Sequence, residues 1–432
     1  MGNAPARGTY RIETLGCKAN AYDSRRLAEA LQALGWRPAE DGEPADACVL
    51  NTCTVTAVAD RKCRQRAARL VKHNPGARVF VTGCYASASP AELARLPGLA
   101  GVYGRENWNA LLEAIGGRPL PAGAEQLSGD FGISSFEGRA RAFLKVQEGC
   151  DSFCSYCILP YVRGKPRSRP LAEVRAEAER LASARFAEIV ITGIHVGLYG
   201  RDLPDRPSLA SALLAVAETP RVERVRLSSI EANEVNEDLV AAMAHPRICA
   251  HLHIPLQSGD PDVLKRMNRA YMPEDFLRAV QLARSRLRLP AITTDVMVGF
   301  PGESDVQFEH TLALCGAARF SRIHVFPFSP RPGTAAAKMS GQVPTKVIQD
   351  RGRRLRELAK ELAVEWADGF VGATKRVLFE TCSAAGCLTG YTDRYVRLAA
   401  RGTPDLLGHA ARVVCTERRG GSLIGRVLGS VE

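Results

Sequence analysis

Residues 148–164 read EGCDSFCSYCILPYVRG, and this stretch indicates both a chemistry and the fold that would surround it. It holds Cys150, Cys154 and Cys157 in the spacing CxxxCxxC. Three thiolates at this spacing can ligate three irons of a 4Fe-4S cube, whereas ferredoxin-type clusters use four cysteines and only transfer electrons. The fourth iron is then open to a small molecule, so the stretch predicts a site for chemistry.

Two simpler explanations fit these cysteines less well. A structural zinc site usually brings paired CxxC knuckles or histidines, and neither accompanies these three cysteines. A free cysteine often behaves as a small buried hydrophobic residue, but this does not explain three within eight positions beside glycine and proline.

The motif resembles that of the radical S-adenosylmethionine (SAM) superfamily. This resemblance implies a 4Fe-4S cluster whose open iron chelates SAM, and a 5′-deoxyadenosyl radical formed when one electron cleaves SAM. It also implies that Tyr156 lies beside the adenine of SAM. An ordinary packing tyrosine is the alternative at that position.

Composition and charge favour an enzyme that acts on a polyanion. The chain has 432 residues, enough for two or three domains, and 46% are hydrophobic. No apolar run reaches the roughly 18 residues of a membrane span, and the first residues lack the apolar core of a signal peptide. We therefore expect a cytoplasmic protein without membrane contact, whose 13 cysteines stay reduced. The net charge of +12 favours a polyanionic partner, and charge alone does not separate RNA from DNA or from an acidic membrane.

Residues 8–118 are predicted to form a parallel α/β domain. Strands at 9–17, 47–53 and 77–84 end at Cys17, Cys53 and Cys84, and helices at 22–35 and 57–73 separate them. Because the carboxyl ends of parallel strands share one edge of a sheet, these cysteines are expected to converge on a second three-thiolate site. Three unrelated structural cysteines are the alternative, since Cys is common in buried strands.

Residues 119–139 are predicted to be a linker, because glycine, proline and serine recur there. Residues 140–368 follow with six strand patterns and intervening helices, and an amphipathic helix ends the segment. Such alternation requires parallel strands with right-handed crossovers. Six units are too few for a closed eight-fold barrel, so an open, partial (β/α)6 barrel is expected. The predicted strands are 143–149, 188–193, 224–229, 251–257, 291–300 and 322–329.

The carboxyl ends of barrel strands form the active face, and several candidate residues follow the predicted strands. Two are glycines that would let backbone approach a ligand, and most of the others are polar. For His253, a hydrogen-bonded core histidine is an equal alternative. The candidates are Gly193, Gly197, Ser229, Glu231, His253, Gln257, Asp295 and Phe326.

Basic residues follow the cysteine motif, and short alternating strands form the tail. The loop YVRGKPRSRP would clamp phosphates or simply be a solvated charged loop. Residues 369–432 are predicted to form a small antiparallel β-barrel, whose Tyr391 and Tyr395 offer stacking surfaces for RNA. The basic residues of the loop are Arg163, Lys165, Arg167 and Arg169.

The order of motifs resembles that of the methylthiotransferases over most of the chain. The similar segments are TLGCKAN, NTCTVT, TGCYA, RLSSIE, HIPLQSGD, DVMVGFPGE and FSPRPGTAA. The resemblance implies an auxiliary 4Fe-4S cluster on Cys17, Cys53 and Cys84, and a SAM pocket lined by the barrel candidates. It further implies an RNA-binding TRAM barrel at the tail.

The resemblance also implies a reaction and partners. Two SAM molecules would serve to insert a methylthio group at carbon 2 of an adenosine in the tRNA anticodon stem-loop. A flavodoxin or ferredoxin would supply electrons, and a monomer is expected. The spelling TLGCKAN with NTCTVT favours threonylcarbamoyladenosine as substrate. The alternatives are isopentenyladenosine, a radical SAM enzyme that inserts no sulfur, and a redox-sensing RNA-binding protein.

Overall fold

The computed structural model describes residues 7–121, 132–134, 136 and 140–430. Its N-terminal domain is built on a five-stranded parallel sheet in the order β2-β1-β3-β4-β5. The strands are β1 Thr9–Thr14, β2 Arg37–Pro38, β3 Ala47–Thr52, β4 Arg78–Gly83 and β5 Leu99–Val102. The helices are α1 Lys18–Ala33, α2 Ala57–His73, α3 Cys84–Ala88, α4 Pro90–Ala94 and α5 Trp108–Gly116.

The three predicted strands are confirmed, with one shifted boundary that concerns the site. β1 ends at Thr14 rather than at residue 17, and α1 begins at Lys18, four residues earlier than predicted. Cys17 is the residue that precedes the helix, and Cys84 begins α3. The cysteines thus lie in the turns that follow the strands. These turns meet at one edge because the sheet is parallel.

The central domain is a partial barrel, as predicted, with α/β order throughout. Its sheet halves are β10-β9-β6 and β11-β12-β13, and a bridge between Val225 and Ile248 joins them. The barrel strands are β6 Arg141–Lys145, β9 Glu188–Thr192, β10 Val225–Leu227, β11 His251–His253, β12 Ala291–Val298 and β13 Arg322–Pro327. A short antiparallel pair, β7 Gln147–Glu148 with β8 Arg167–Ser168, frames the cysteine motif.

Helices follow the barrel strands and cover the outside of the sheet. A single core cluster fills the space between them, and it contains apolar residues from β6 through β13. The helices are α6 Leu159–Arg163, α7 Leu171–Ser183, α8 Leu209–Ala217, α9 Glu237–Met243, α10 Pro261–Arg266, α11 Pro273–Arg286, α12 Asp305–Ala318 and α13 Thr345–Asp368. None of the helices in the described ranges is long and apolar enough to cross a membrane.

Most of the predicted linker at 119–139 lies outside the described residues. The described part packs against the protein: Ile133 and Phe136 are buried in the core of the barrel. Arg26 on α1 donates a hydrogen bond to the carbonyl of Gly132 (2.9 Å), and the Tyr22 hydroxyl accepts one from its amide (2.6 Å). These contacts hold α1 of the first domain beside the barrel.

The tail is a closed barrel of five strands in the order β14-β15-β16-β18-β17. One feature corrects the prediction of an antiparallel barrel: β16 and β18 pair in parallel. Barrel closure, which brings together strands that are not neighbours in sequence, requires this pair. The strands are β14 Thr374–Cys382, β15 Cys387–Thr392, β16 Arg397–Arg401, β17 Ala410–Arg419 and β18 Ser422–Ser430.

Candidate cluster and cofactor site

The CxxxCxxC loop is pressed against the β7–β8 pair at the carboxyl end of β6. Gly149 has φ of 77°, and a Cβ there would lie 2.0 Å from the carbonyl oxygen of Lys165, so only glycine fits. Within the loop the amide of Cys157 donates to the carbonyl of Cys154 (2.9 Å). Burial, together with the neighbouring Cys154 and Cys150 thiols, raises the pKa of Cys157 to about 12, so the three sulfurs lie close together.

A buried arginine contacts the middle cysteine of this triad. The Nη1 of Arg269 donates to the Cys154 sulfur at 3.3 Å, and the same guanidinium forms an ion pair with Glu231. Glu231 was one of the predicted SAM neighbours. Glu231 does not contact the cysteines itself in this geometry: it pairs with Arg269, and Arg269 contacts the sulfur of Cys154.

A histidine contacts the first cysteine. The Nδ1 of His195 lies 3.5 Å from the Cys150 sulfur, and its Nε2 lies 2.9 Å from Oε1 of Glu234. Burial lowers the pKa of His195, but the hydrogen bonds to Cys150 and Glu234 outweigh this and raise it to about 9. His195 is thus oriented by Glu234 to donate to the sulfur.

The two predicted glycines have a different explanation from the one the sequence suggested. A Cβ on Gly197 would lie 1.8 Å from Oε2 of Glu234, and a Cβ on Gly193 would lie 2.9 Å from the carbonyl of Gln147. Protein groups therefore fill the space beside both glycines. The prediction that they are glycine to admit a ligand is wrong, because they admit neighbouring side chains and backbone.

Polar candidates from the later strands do come together on the inner face of the barrel. His253 hydrogen-bonds to Thr293 (2.9 Å) and lies 3.3 Å from Asp295. Burial raises the pKa of Asp295, but His253 and His324 outweigh this and hold the pKa below its usual range, so this carboxylate is charged. The backbone amide of Gln257 donates to the backbone carbonyl of Asp295 (2.9 Å), and Gln257 itself has φ of 62°.

Two observations on these residues fit a bound cofactor. Gln257 is 7% exposed, yet its Oε1 has no hydrogen-bond partner among the described residues. Buried polar atoms are normally paired, so this oxygen fits a ligand such as SAM. Tyr156 and Phe326 are partly buried and both pack against one apolar cluster, which contains Phe300 and Phe328 and would make the wall for an adenine. Ser229 is half-buried at the same strand ends.

The three cysteines of the first domain also converge. The Oδ1 of Asn20 lies 3.9 Å from the Cys17 sulfur and 3.7 Å from the Cys84 sulfur. Gly16, at φ of 120°, packs its Cα so closely on Cys53 that a Cβ would lie 2.9 Å from the Cys53 Cβ. Burial, together with the nearby Cys84 and Cys17 thiols, raises the pKa of Cys53 to about 12. The predicted convergence at the sheet edge is therefore observed.

The chemistry of both triads fits an iron-sulfur cluster. Each triad offers three free thiols, and thiolates are the protein ligands of 4Fe-4S clusters. Among the described residues no group of three His, Cys, Asp or Glu side chains is arranged to hold one metal ion. All thirteen cysteines are free thiols.

A buried network of five charged side chains lies between the two triads. Lys145 contacts Asp23 (2.6 Å) and Glu148 (2.7 Å), and Arg105 contacts the same two carboxylates (3.3 and 3.1 Å). Arg163 does so as well, at 2.9 and 3.1 Å. Asp23 lies on α1 and Glu148 precedes the cysteine motif, so the network joins the first domain to the barrel.

The network corrects the prediction that four basic residues clamp phosphates. Arg163 is buried, and its Nε donates to the Cys84 sulfur at 3.3 Å. Arg169 is also buried and pairs with Glu177 at 2.5 Å. Neither can reach an RNA backbone, because both guanidinium groups are enclosed by protein. Lys165 and Arg167 are exposed and remain candidates for that role.

The tail tyrosines likewise face the protein rather than RNA. The rings of Tyr391 and Tyr395 stack at 4.8 Å, and Tyr395 stacks on His251 of the central barrel at 4.9 Å. The Arg226 guanidinium lies 5.0 Å from the Tyr395 ring centre and forms ion pairs with Glu188. The prediction that these tyrosines stack on RNA bases is wrong, since both rings are used to dock the tail barrel.

Comparison of the chain with known proteins shows the family to which it belongs. Residues 144–315 match the family model of the radical SAM superfamily, and residues 9–104 match that of the uncharacterised protein family UPF0004. A threonylcarbamoyladenosine tRNA methylthiotransferase MtaB of Bacillus subtilis is 37% identical, with 94% of this chain and 93% of the relative covered. The chain belongs to the radical SAM tRNA methylthiotransferases. SAM and a 4Fe-4S cluster are the cofactors of this family's chemistry.

Two further comparisons concern the branch and the fold. A tRNA-2-methylthio-N(6)-dimethylallyladenosine synthase of Trichlorobacter lovleyi is 36% identical, with 96% of this chain and 98% of the relative covered. The radical SAM methyltransferase TsrM of Kitasatospora setae, solved with cobalamin and a 4Fe-4S cluster, has a TM-score of 0.58 at 16% identity. It covers 77% of this chain and 74% of its own, and it shows the fold alone.

Several residues of this methylthiotransferase site escaped the sequence analysis. Asn20 and Asp23 are polar, yet they lie on the buried face of an amphipathic helix, and that is a sign of a polar partner across the interface. Glu148 and Arg163 stand on either side of the cysteine motif. Arg269 carries no sequence signal, because only the folded chain brings it to Cys154.

Proposed function

We propose that this methylthiotransferase inserts a methylthio group at carbon 2 of N6-threonylcarbamoyladenosine next to the anticodon of tRNA. The proposal rests on one observation: the segment that follows Cys157 packs on the first domain beside Cys84, where Ile158 and Val162 form an apolar cluster with Cys84 and Arg163 donates to its sulfur. Cys150, Cys154 and Cys157 would hold one 4Fe-4S cluster with SAM, and Cys17, Cys53 and Cys84 the other. When bound, these groups supply the radical and the sulfur that an unactivated aromatic C–H bond requires.

The chain's own residues place and shield these groups. Arg269 and His195 donate to sulfurs of the SAM-binding triad, and such hydrogen bonds orient ligands and tune their electronics. Tyr156 and Phe326 offer an apolar wall, and Gln257 offers an unpaired oxygen within hydrogen-bonding reach of a cofactor. His253 and Asp295 hold a charged pair on the barrel's inner face.

The charge beside the second triad supports threonylcarbamoyladenosine over isopentenyladenosine. Lys18 directly follows Cys17, and among the described residues no carboxylate forms an ion pair with it. The guanidinium groups of Arg226 and Arg141 lie near Lys18, but both already pair with Glu188. A threonylcarbamoyl group carries a carboxylate that would pair with Lys18, whereas an isopentenyl group carries no charge.

The partners follow from the reaction. The substrate would be the anticodon stem-loop of tRNA, bound with Lys165, Arg167 and the tail barrel near the phosphates, in the cytoplasm. The adenosine must be unstacked to enter a site enclosed between domains. The enzyme would act as a monomer and receive electrons from a flavodoxin or ferredoxin.

Nucleoside mass spectrometry of tRNA from a strain that lacks the gene tests this proposal. We expect loss of 2-methylthio-N6-threonylcarbamoyladenosine with accumulation of its precursor, and recovery when the wild-type chain is restored. A strain that instead loses the methylthio form of isopentenyladenosine would assign the chain to the other branch. Loss of neither would contradict the proposed reaction.

A further inference from the structure

The buried network of charged side chains includes two carboxylates, Asp23 and Glu148, and three cations, Lys145, Arg105 and Arg163. The side chains of Lys145 and Glu148 are fully buried, and that of Arg163 is 1% exposed. A buried charge is costly unless an opposite charge or hydrogen bonds compensate it. The groups that the buried guanidinium of Arg163 contacts therefore indicate its role.

Arg163 is the cation that reaches beyond the network. Its Nε donates to the sulfur of Cys84 at 3.3 Å, and its Nη2 donates to Oδ1 of Asn20. That Asn20 oxygen lies between the sulfurs of Cys84 and Cys17. The remaining nitrogen, Nη1, donates hydrogen bonds to the carboxylates of Asp23 and Glu148. Half of the guanidinium thus faces carboxylates and half faces the second triad.

Arg163 comes from the other side of the domain boundary. It ends α6, six residues after Cys157, and so belongs to the loop that carries the SAM-binding triad. The contact to Cys84 is therefore made by the radical SAM domain on a sulfur of the first domain. A single side chain links the protein shells of the two triads.

We propose that Arg163 is a positioning residue that places a positive charge and an N–H···S hydrogen bond at a cluster held by Cys17, Cys53 and Cys84. This inference rests on the second cluster of the proposed function. Hydrogen bonds to the sulfurs and the net charge around a cluster set its reduction potential. A cation and a donor at Cys84 stabilise the reduced, more negative cluster, so Arg163 makes this cluster easier to reduce.

The test isolates the second cluster and measures its midpoint potential. Replacing Cys150, Cys154 and Cys157 by alanine in the full chain gives a parent protein that holds only this cluster. Redox titration followed by electron paramagnetic resonance then compares the parent with Arg163→Gln and Arg163→Lys. Arg169→Gln and Arg169→Lys are matched controls, because Arg169 is equally buried in the same segment but pairs with Glu177.

Loss of Arg163 should lower the midpoint potential. At the parent's midpoint, Arg163→Gln should lower the ratio of reduced to oxidised cluster at least tenfold, which corresponds to about 59 mV for one electron. Arg163→Lys keeps the charge and loses the guanidinium donor, so a smaller change in the same direction is expected. The Arg169 variants should match the parent. Arg163→Gln leaves two cations for Asp23 and Glu148, so the apoprotein should remain folded.

Four outcomes would overturn the inference. One is a ratio that changes less than twofold in Arg163→Gln, and another is an equal change in Arg169→Gln. If Arg163→Gln assembles no cluster, Arg163→Lys decides, and a midpoint equal to the parent's is the contrary result. Absence of iron from the parent protein would remove the second cluster itself, and with it both this inference and the proposed function.

Discussion

Replacing Asp23 by asparagine should strongly destabilise the junction between the first domain and the barrel. Asp23 contacts Lys145 at 2.6 Å, Arg163 at 2.9 Å and Arg105 at 3.3 Å. Without its charge, three buried cations each lose a carboxylate partner, although each keeps its contact with Glu148. Removing one partner from a buried ion pair costs about 3–5 kcal/mol, and we expect a loss of that size in the free energy of unfolding.

Urea unfolding of the apoprotein, followed by circular dichroism, measures this loss. The control is Glu357→Gln, which breaks an exposed pair with Arg353 on α13 at 3.0 Å and should cost at most about 0.5 kcal/mol. A loss below about 1 kcal/mol for Asp23→Asn, or one equal to that of the control, would refute the assignment of Asp23 as the anchor of the network.

Asp23→Asn should also change how the free energy of unfolding depends on pH in acid. Burial raises the pKa of Asp23, but Arg105, Lys145 and Arg163 together outweigh this and lower it below its ordinary value. A carboxyl group with a lowered folded pKa stabilises the protein above its unfolded pKa of about 4, and this stabilisation is lost as the pH falls through the folded value. Unfolding of Asp23→Asn should therefore depend less on pH below about 4 than that of the wild type.

Three more predictions concern the substrate and the tail. Lys18→Gln should reduce modification of threonylcarbamoyladenosine tRNA at least tenfold and that of isopentenyladenosine tRNA little or not at all. Modification assays on both tRNAs measure this, and equal losses on the two tRNAs would contradict the role of charge. Lys165→Ala with Arg167→Ala should weaken tRNA binding and lower the slope of log affinity against log salt by roughly 1–2, and an unchanged slope would exclude phosphate contacts. Tyr395→Ala should cost roughly 1–3 kcal/mol of stability because a half-buried stacked aromatic is removed. Limited proteolysis should then release the tail barrel sooner, and an unchanged cleavage rate would contradict its docking role.

Parts of the fold and site with a strong local pattern could be predicted from the sequence. Helix α2 spans Ala57–His73 as predicted, because Thr56 caps its first turn by accepting a hydrogen bond from Ala59. The strand-end positions of Cys53 and Cys84 follow from short apolar runs whose parallel pairing forces their ends together. All six barrel strands carried such runs.

What could not be predicted depends on burial and long-range contact. The arginines at 163 and 169 look like a solvated basic loop in sequence, since the sequence shows their charge but not the carboxylates that bury them. Asp23 and Glu148 are 125 positions apart, and only the docking of α1 beside β6 joins them. The parallel pairing of β16 with β18 arises from barrel closure, a tertiary requirement with no local signal.

The number of irons bound by the whole chain and by each triad variant tests the central claim most directly. After anaerobic reconstitution the wild type should bind about eight irons per chain, two 4Fe-4S clusters' worth. Alanine at Cys17, Cys53 and Cys84 should leave about four, and alanine at Cys150, Cys154 and Cys157 should also leave about four. A wild type that binds about four irons, unchanged when the first three cysteines are replaced, would contradict the two-cluster account.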